Sequence, residues 1–146
     1  MTVMTPSDAL VVGSGLAALS FALEASARGH SVTVVTKRAA HEANTAYAQG
    51  GIAAVLAADD SFDAHVEDTL KAGAGLCHRE VVEMVIRDAP AVVGRLVAAG
   101  VRFDGKVGGD DAIEYDLTRE GGHSYRRILH AGDISGREIE RALLEL

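Results

Sequence analysis

The chain has one cysteine, Cys77, in 146 residues, so no intrachain disulfide can form and a reducing cytosol is the simplest setting. Cys77 then reads as a small buried hydrophobe rather than a reactive thiol. Basic residues are in deficit, with 14 Lys+Arg against 21 Asp+Glu and a net charge of −7. That balance disfavours a nucleic-acid or anionic-membrane surface, and the charges are not gathered into an acidic tail. No apolar run reaches the roughly 18 residues of a membrane span. Met1 to Ser7 lacks the basic and apolar regions of a signal peptide. Proline is scarce as well, with 2 residues beside a hydrophobic content of 48%, which argues for a globular rather than a disordered chain. There is no internal repeat and no low-complexity tract. These absences leave a single cytoplasmic domain, of a size that buries roughly 70% of its unfolded surface.

What is present begins near the N-terminus. Ala9-Leu10-Val11-Val12 is short, apolar and β-branched, as a strand buried on both faces should be. It runs into Gly13-Ser14-Gly15-Leu16-Ala17-Ala18, a GxGxxA dinucleotide fingerprint. Gly13 permits the tight turn, Gly15 lets a pyrophosphate approach the backbone, and Ala18 keeps the following helix close to the strand. That helix, Leu16 to about Arg28, points its first N–H groups at the phosphates. Gly29 suits the helix end, and Ser31 to Thr36 is a second strand. Together they form a right-handed βαβ unit of an α/β, Rossmann-like fold.

Lys37 to Gly51 is polar, small and irregular, as a working loop is. Ile52 to Ala57 suits a strand or a buried helical turn. Ser61 is placed as an N-cap, with Asp59, Asp60 and Asp63 near the positive end of a helix carrying Phe62, Val66, Thr69, Leu70 and Gly73. Val82, Val85, Ile86, Ala89, Val93, Leu96, Val97 and Gly100 share one helical stripe, which Pro90 divides into two helices or kinks. Val101 to Phe103 reads as a short strand. Turns at Asp104-Gly105 and Gly108-Gly109-Asp110 precede an extended segment, Ala112 to Leu117. Ser135-Gly136-Arg137-Glu138 has the form of a capping box, before Ile139, Leu143 and Leu146 on one face. The last helix has no C-cap, and two secure parallel strands are few for a doubly wound sheet. The expectation is an N-terminal piece of a larger protein.

An NAD site needs an acidic residue about 20 positions past the glycines. Here the second strand ends in Thr36-Lys37-Arg38, which suits either an NADP 2′-phosphate or FAD. The six histidines show no metal spacing. His123 stands out in Thr118-Arg119-Glu120-Gly121-Gly122-His123-Ser124, a segment able to close on a small anionic ligand. The alternative is a surface turn with a local Arg–Glu pair. Glu67-Asp68 and Asp110-Asp111 read as solvated faces, since adjacent residues point apart.

Three ordered segments resemble one family: Gly13 to Ala18, Asn44-Thr45-Ala46-Tyr47-Ala48-Gln49-Gly50-Gly51, and Leu117 to Ser124. The chain resembles the N-terminal quarter of the L-aspartate oxidases, in the succinate dehydrogenase/fumarate reductase flavoprotein superfamily. Asp63 to Leu70 and Arg126 to Ala131 fit the same pattern. The resemblance implies an incomplete FAD-binding domain over residues 1–146, with capping and C-terminal helical domains outside the chain. It implies FAD, its pyrophosphate on Gly13, Ser14, Gly15, Leu16 and Ala17, and its adenosine end at Lys37. Asn44, Thr45, Ala46, Tyr47, Ala48, Gln49, Gly50 and Gly51 would wrap the flavin side. Asn44 stands where membrane-complex relatives carry the histidine that bonds FAD covalently, so non-covalent FAD is implied. Glu120 stands where dicarboxylate-only relatives carry an apolar residue, and the family's matching glutamate orients the substrate. A carboxylate there can pair with the α-ammonium of aspartate, which succinate lacks.

The implied reaction is oxidation of L-aspartate to iminoaspartate, the first step of NAD synthesis from aspartate. Oxygen or fumarate would be the electron acceptor, and quinolinate synthase a partner enzyme. The family's other catalytic residues fall beyond Leu146, so this chain alone is expected not to turn over. A succinate dehydrogenase-type subunit and a non-catalytic nucleotide-binding fragment are the competing readings.

Overall fold

The computed structural model describes residues 6–108 and 113–146. The expected Asp110-Asp111 pair, Gly109 of the expected turn, and Ala112 lie outside these residues. β1 (Ala9–Val12) and β2 (Val32–Val35) pair in parallel, Ala9 opposite Val32 and Val12 opposite Val35, with α1 (Leu16–Ala27) between them. The starts of the two strands are tied together by the Asp8 carboxylate, which accepts from the Ser31 N–H and hydroxyl, each at 2.8 Å. This is the βαβ unit expected from the sequence.

The expected burial of β1 on both faces is not met within this chain. The sheet has two strands, and Leu10 and Val12 are exposed on one face.

Beyond β2 a single 3-10 turn forms at Asn44–Tyr47, followed by β3 (Ile52–Ala53), α2 (Phe62–Ala72) and α3 (Arg79–Ala98). Then come β4 (Gly105–Val107), β5 (Ile113–Tyr115), β6 (Ile128–Leu129) and α4 (Ser135–Leu144). β3 pairs with β6 and β4 with β5, both antiparallel. Ser61 caps α2 as expected, its Oγ accepting the Ala64 N–H at 3.2 Å.

Two local expectations fail, each for a tertiary reason, and a third is narrowed. Pro90 lies inside the single helix α3, so the two-helix alternative does not occur. A helix-interior proline costs about 3 kcal/mol, but Ile86, Val93 and Leu96 are buried on either side of it, at roughly 1.5–3 kcal/mol each. Val101 and Phe103 are buried and Arg102 is exposed, but no strand forms there, and β4 begins at Gly105. Ser135 is not an N-cap: its Oγ accepts the Ala131 N–H at 3.0 Å, while Glu138 accepts from the Arg102 N–H at 2.9 Å and pairs with Arg141. Both members of the supposed capping box are committed to other segments.

The core gathers Leu19 of α1, Val93 and Leu96 of α3, Leu129 of β6, and Ile139, Ala142 and Leu143 of α4, together with Ala54, Val101 and Phe103. It holds α4 against α1 and the 3-10 turn, so the C-terminal helix supports the N-terminal glycine turn. Among the described residues no helix is long and apolar enough to cross a membrane.

Candidate functional site

The glycine turn is tied to β2, the Gly13 N–H donating to the Val35 carbonyl at 2.8 Å. Gly13 has φ +111°, a conformation that side-chain-bearing residues rarely adopt. The first i→i−4 bond of α1 runs from Leu19 to Gly15, at 3.0 Å. The amides before it therefore face away from any helical acceptor, as at every helix start. One of them is taken in an unexpected way: the Leu16 N–H donates to Thr45 Oγ1 at 3.0 Å. Thr45, expected from the resemblance on the flavin side, sends its hydroxyl to the start of α1 beside the glycine turn. A Cβ on Gly15 would lie 3.3 Å from the same oxygen, so the turn and the following loop are in close contact. Ser14 is buried beside it, while Ala17 faces solvent. Lys37 is exposed just past β2, and Arg38 pairs loosely with Glu42 at 3.7 Å.

In the loop, Ala46 is buried, and Asn44, Tyr47, Ala48, Gln49 and Gly50 are open to solvent. α4 supports this segment from below. The Gly136 N–H donates to the Ala48 carbonyl at 3.1 Å, and a Cβ on Gly136 would overlap the Thr45 carbonyl oxygen. Glu140, fully buried on α4, leaves its Oε1 without a partner, and burial holds its carboxyl above the usual range. Glu120 approaches from the other side. Its carboxylate oxygens lie 3.8 Å from the position a Cβ would take on Gly50. The fold thus brings together the three segments singled out in sequence, Gly15 to Thr45 and Gly50 to Glu120. No Arg119–Glu120 pair forms among the described residues.

Sequence reasoning missed the ionic cluster beneath Glu120. Arg127 is fully buried. It donates through Nε and Nη2 to the two oxygens of Asp60 at 2.8 and 2.7 Å, and through Nη1 to Asp68 at 2.8 Å. Asp60 is fully buried and Asp68 nearly so, which corrects the reading of Glu67-Asp68 as a solvated face. Glu67 alone keeps to the surface, paired with Arg79 at 2.7 Å. Adjacent residues do point apart, and here one of the two points inward. Asp68 also accepts from the Ser124 N–H at 2.7 Å and hydroxyl at 2.6 Å. Burial pushes the Asp68 carboxyl upward, but the bonds from Ser124 and Arg127 outweigh it and hold it below the usual carboxylate value. Burial would likewise weaken the Arg127 charge, and the two aspartates more than restore it. The doublet Arg126-Arg127 carries no local sign of which arginine turns inward.

His65 is buried with its Nδ1 unpartnered, its ring 5.5 Å from that of His123. Burial first, then the charge on Arg127, lowers its pKa from the ordinary 6.5, so the folded state holds it neutral. The unfolded chain therefore binds this proton more readily, and stability falls as pH drops below about 6.5. Thermal melts from about pH 7 to about pH 5 should lose less stability in His65→Asn than in the unaltered protein. Parallel pH profiles would remove His65 as the cause.

A family model described as FAD binding domain matches residues 8–145. The chain is 51% identical over 138 residues to L-aspartate oxidase 2-b, chloroplastic, of Nicotiana tabacum, covering 94% of this chain and 20% of that protein. It is 50% identical over 138 residues to L-aspartate oxidase of Yersinia pestis, covering 94% and 26%. With the L-aspartate oxidase of Mycobacterium tuberculosis (strain ATCC 25618 / H37Rv), identity is 52% over 140 residues, with the same coverage. The chain thus spans a fifth to about a quarter of the length of the curated relatives it matches. Among solved structures it superposes on the Mycobacterium smegmatis Sdh1 complex in the apo form with a TM-score of 0.84 at 36% identity, over 94% of this chain and 23% of that one. A quinol-fumarate reductase with menaquinol molecules gives a TM-score of 0.85 at 28% identity, over 95% and 24%.

Proposed function

Since this chain belongs to the FAD binding domain family, we propose that it holds FAD non-covalently and that the complete gene product oxidises L-aspartate to iminoaspartate. The observation that carries the reading is the Glu120 carboxylate beside Gly50, in a chain half-identical to L-aspartate oxidases. The residues fit a dinucleotide. The first turn of α1 leaves backbone amides for phosphate, and a Cβ on Gly15 would press on Thr45 Oγ1 at 3.3 Å.

Gly13, Ser14, Gly15, Leu16 and Ala17 would hold the pyrophosphate, with Thr45 keeping the helix start in place. Lys37 would meet the adenosine end. Asn44 to Gly51 would line the flavin side, where the Asn44 amide is no nucleophile. When bound, FAD supplies the two-electron acceptor chemistry. The chain's own contribution to substrate is Glu120, whose carboxylate pairs with the α-ammonium and orients Cα. Oxygen or fumarate as electron acceptor, quinolinate synthase as partner and the cytoplasm as setting belong to the same reading. The similarity to succinate dehydrogenase and fumarate reductase structures lies at 28–36% identity, and Glu120 has no use on succinate.

The test is direct. The complete gene product should be yellow, release FAD on acid precipitation, and oxidise L-aspartate; a colourless or inactive protein would overturn the reading. Glu120→Gln removes a charge-assisted bond worth about 1.5–3 kcal/mol, or roughly 10- to 150-fold. That loss should appear in kcat/KM for L-aspartate, while fumarate reduction changes within about threefold. Equal losses would take the ammonium role away from Glu120.

A further inference from the structure

Glu120 makes no side-chain hydrogen bond or ion pair among the described residues, so its position is set by the loop that carries it. That loop is closed at its base, where Thr118 N–H donates to the Ile128 carbonyl at 3.0 Å and Ile128 N–H returns to Thr118 at 3.1 Å. Near its tip the His123 N–H donates to the Glu120 carbonyl at 3.2 Å, which fixes the turn on which Glu120 stands. The next residue, Ser124, is exposed, yet both its N–H and its hydroxyl are bonded to Asp68. The same Asp68 oxygen that takes the Ser124 N–H also takes Arg127 Nη1. Arg127 in turn is fixed by both oxygens of Asp60, just before α2. A continuous chain of charge-assisted bonds therefore runs from the buried end of α2 to the loop tip.

We propose that Arg127, Asp60 and Asp68, acting through Ser124, are positioning residues that hold Glu120 over Gly50 for the substrate's ammonium group. The proposal rests on the reading of Glu120 as the ammonium partner. A loop tied only at its base would carry Glu120 through many positions, and a displacement of about 1 Å at a positioning group can lower a rate 10²-fold. The clamp suppresses that freedom from beneath, using charges shielded from water and salt.

The decisive variants are Ser124→Ala and Asp68→Asn in the complete gene product, with Ser124→Thr as the conservative control. For Ser124→Ala and Asp68→Asn, KM for L-aspartate should rise about tenfold, with KM for fumarate and Kd for FAD within about twofold. Ser124→Thr keeps the hydroxyl and should return KM to within about threefold of the unaltered protein. Independently of turnover, trypsin should cleave after Arg119 or Arg126 several-fold faster in Ser124→Ala. An unchanged KM, or equal rises for aspartate and fumarate, would overturn the clamp. Glu120→Gln measured alongside separates the two possible failures. If it leaves KM for aspartate unchanged, the reading of Glu120 falls and the clamp falls with it. If it raises KM while Ser124→Ala and Asp68→Asn do not, the clamp alone is wrong.

Discussion

Gly136→Ala in the complete gene product is expected to lower FAD affinity at least about 30-fold and to destabilise the domain by about 2–4 kcal/mol. The added methyl would overlap the Thr45 carbonyl oxygen and lie 2.9 Å from Ala48 Cβ. Neither neighbour is the movable end of a side chain, so α4 and the 3-10 turn must separate. Separation breaks the bond from Gly136 N–H to the Ala48 carbonyl and shifts Thr45, whose hydroxyl caps Leu16 at the start of α1. A one-carbon change on α4 thus reaches the glycine turn through a single intervening segment. Gly94→Ala is the control. Gly94 is an exposed α3 residue with open space around it, where alanine should add about 0.5–1 kcal/mol of stability. Flavin fluorescence titration and thermal melts measure both. Undiminished FAD binding by Gly136→Ala would show that the α4 contact does not shape the cradle.

The second large effect is expected at Arg127. Arg127→Met keeps most of the side-chain volume but leaves the Asp60 and Asp68 carboxylates facing each other without a cation. Breaking a buried ion pair from one side costs about 3–5 kcal/mol, so the variant should melt well below the unaltered protein. The pH dependence supplies a second signature. In the unaltered protein Asp68 is held below its ordinary value of 3.8, so its contribution is present above that pH and is lost as pH falls through the lower folded value. Without the guanidinium, burial works against the charge on Asp68 with less to offset it, and protonation relieves the variant. The stability gap between the two proteins should therefore narrow towards about pH 4. Arg127→Lys should recover only part of the loss, since an ammonium cannot meet Asp60 with two parallel bonds and reach Asp68 as well. A gap that stays constant with pH would mean that packing, and not charge, accounts for the loss.

The readings that held up are those whose signals lie close together in the chain. The strand, glycine turn, helix and strand from Ala9 to Val35 follow from apolar runs, Gly13 and the β-branched run around Val34. The Ser61 cap follows from one hydroxyl and an amide three residues on. The three segments singled out by resemblance do come together in the fold, through Thr45 at Leu16 and Glu120 at Gly50. The readings that failed share the opposite property. Ser135 and Glu138 have the right spacing for a capping box, but Ala131, Arg102 and Arg141 compete for their side chains and win. At Pro90 only the two-helix alternative fails, because the packing of Ile86, Val93 and Leu96 outweighs the local break. Glu67 and Asp68 look identical in sequence, and only the direction of the helix face separates a surface pair from a buried anion.

Resemblance to a known family supplied the candidates Asn44 and Glu120. Sequence alone determined the βαβ unit and the kind of ligand its glycine turn can take. Those rest on backbone freedom and side-chain chemistry, which a residue carries with it. Tertiary structure decided that Thr45 caps Leu16, that Glu120 stands over Gly50, and that Arg127 joins Asp60 and Asp68 from 67 and 59 residues away. Whether a charge is solvated or buried against a partner depends on what the folded chain brings beside it. A residue's own neighbours in sequence carry almost none of that information.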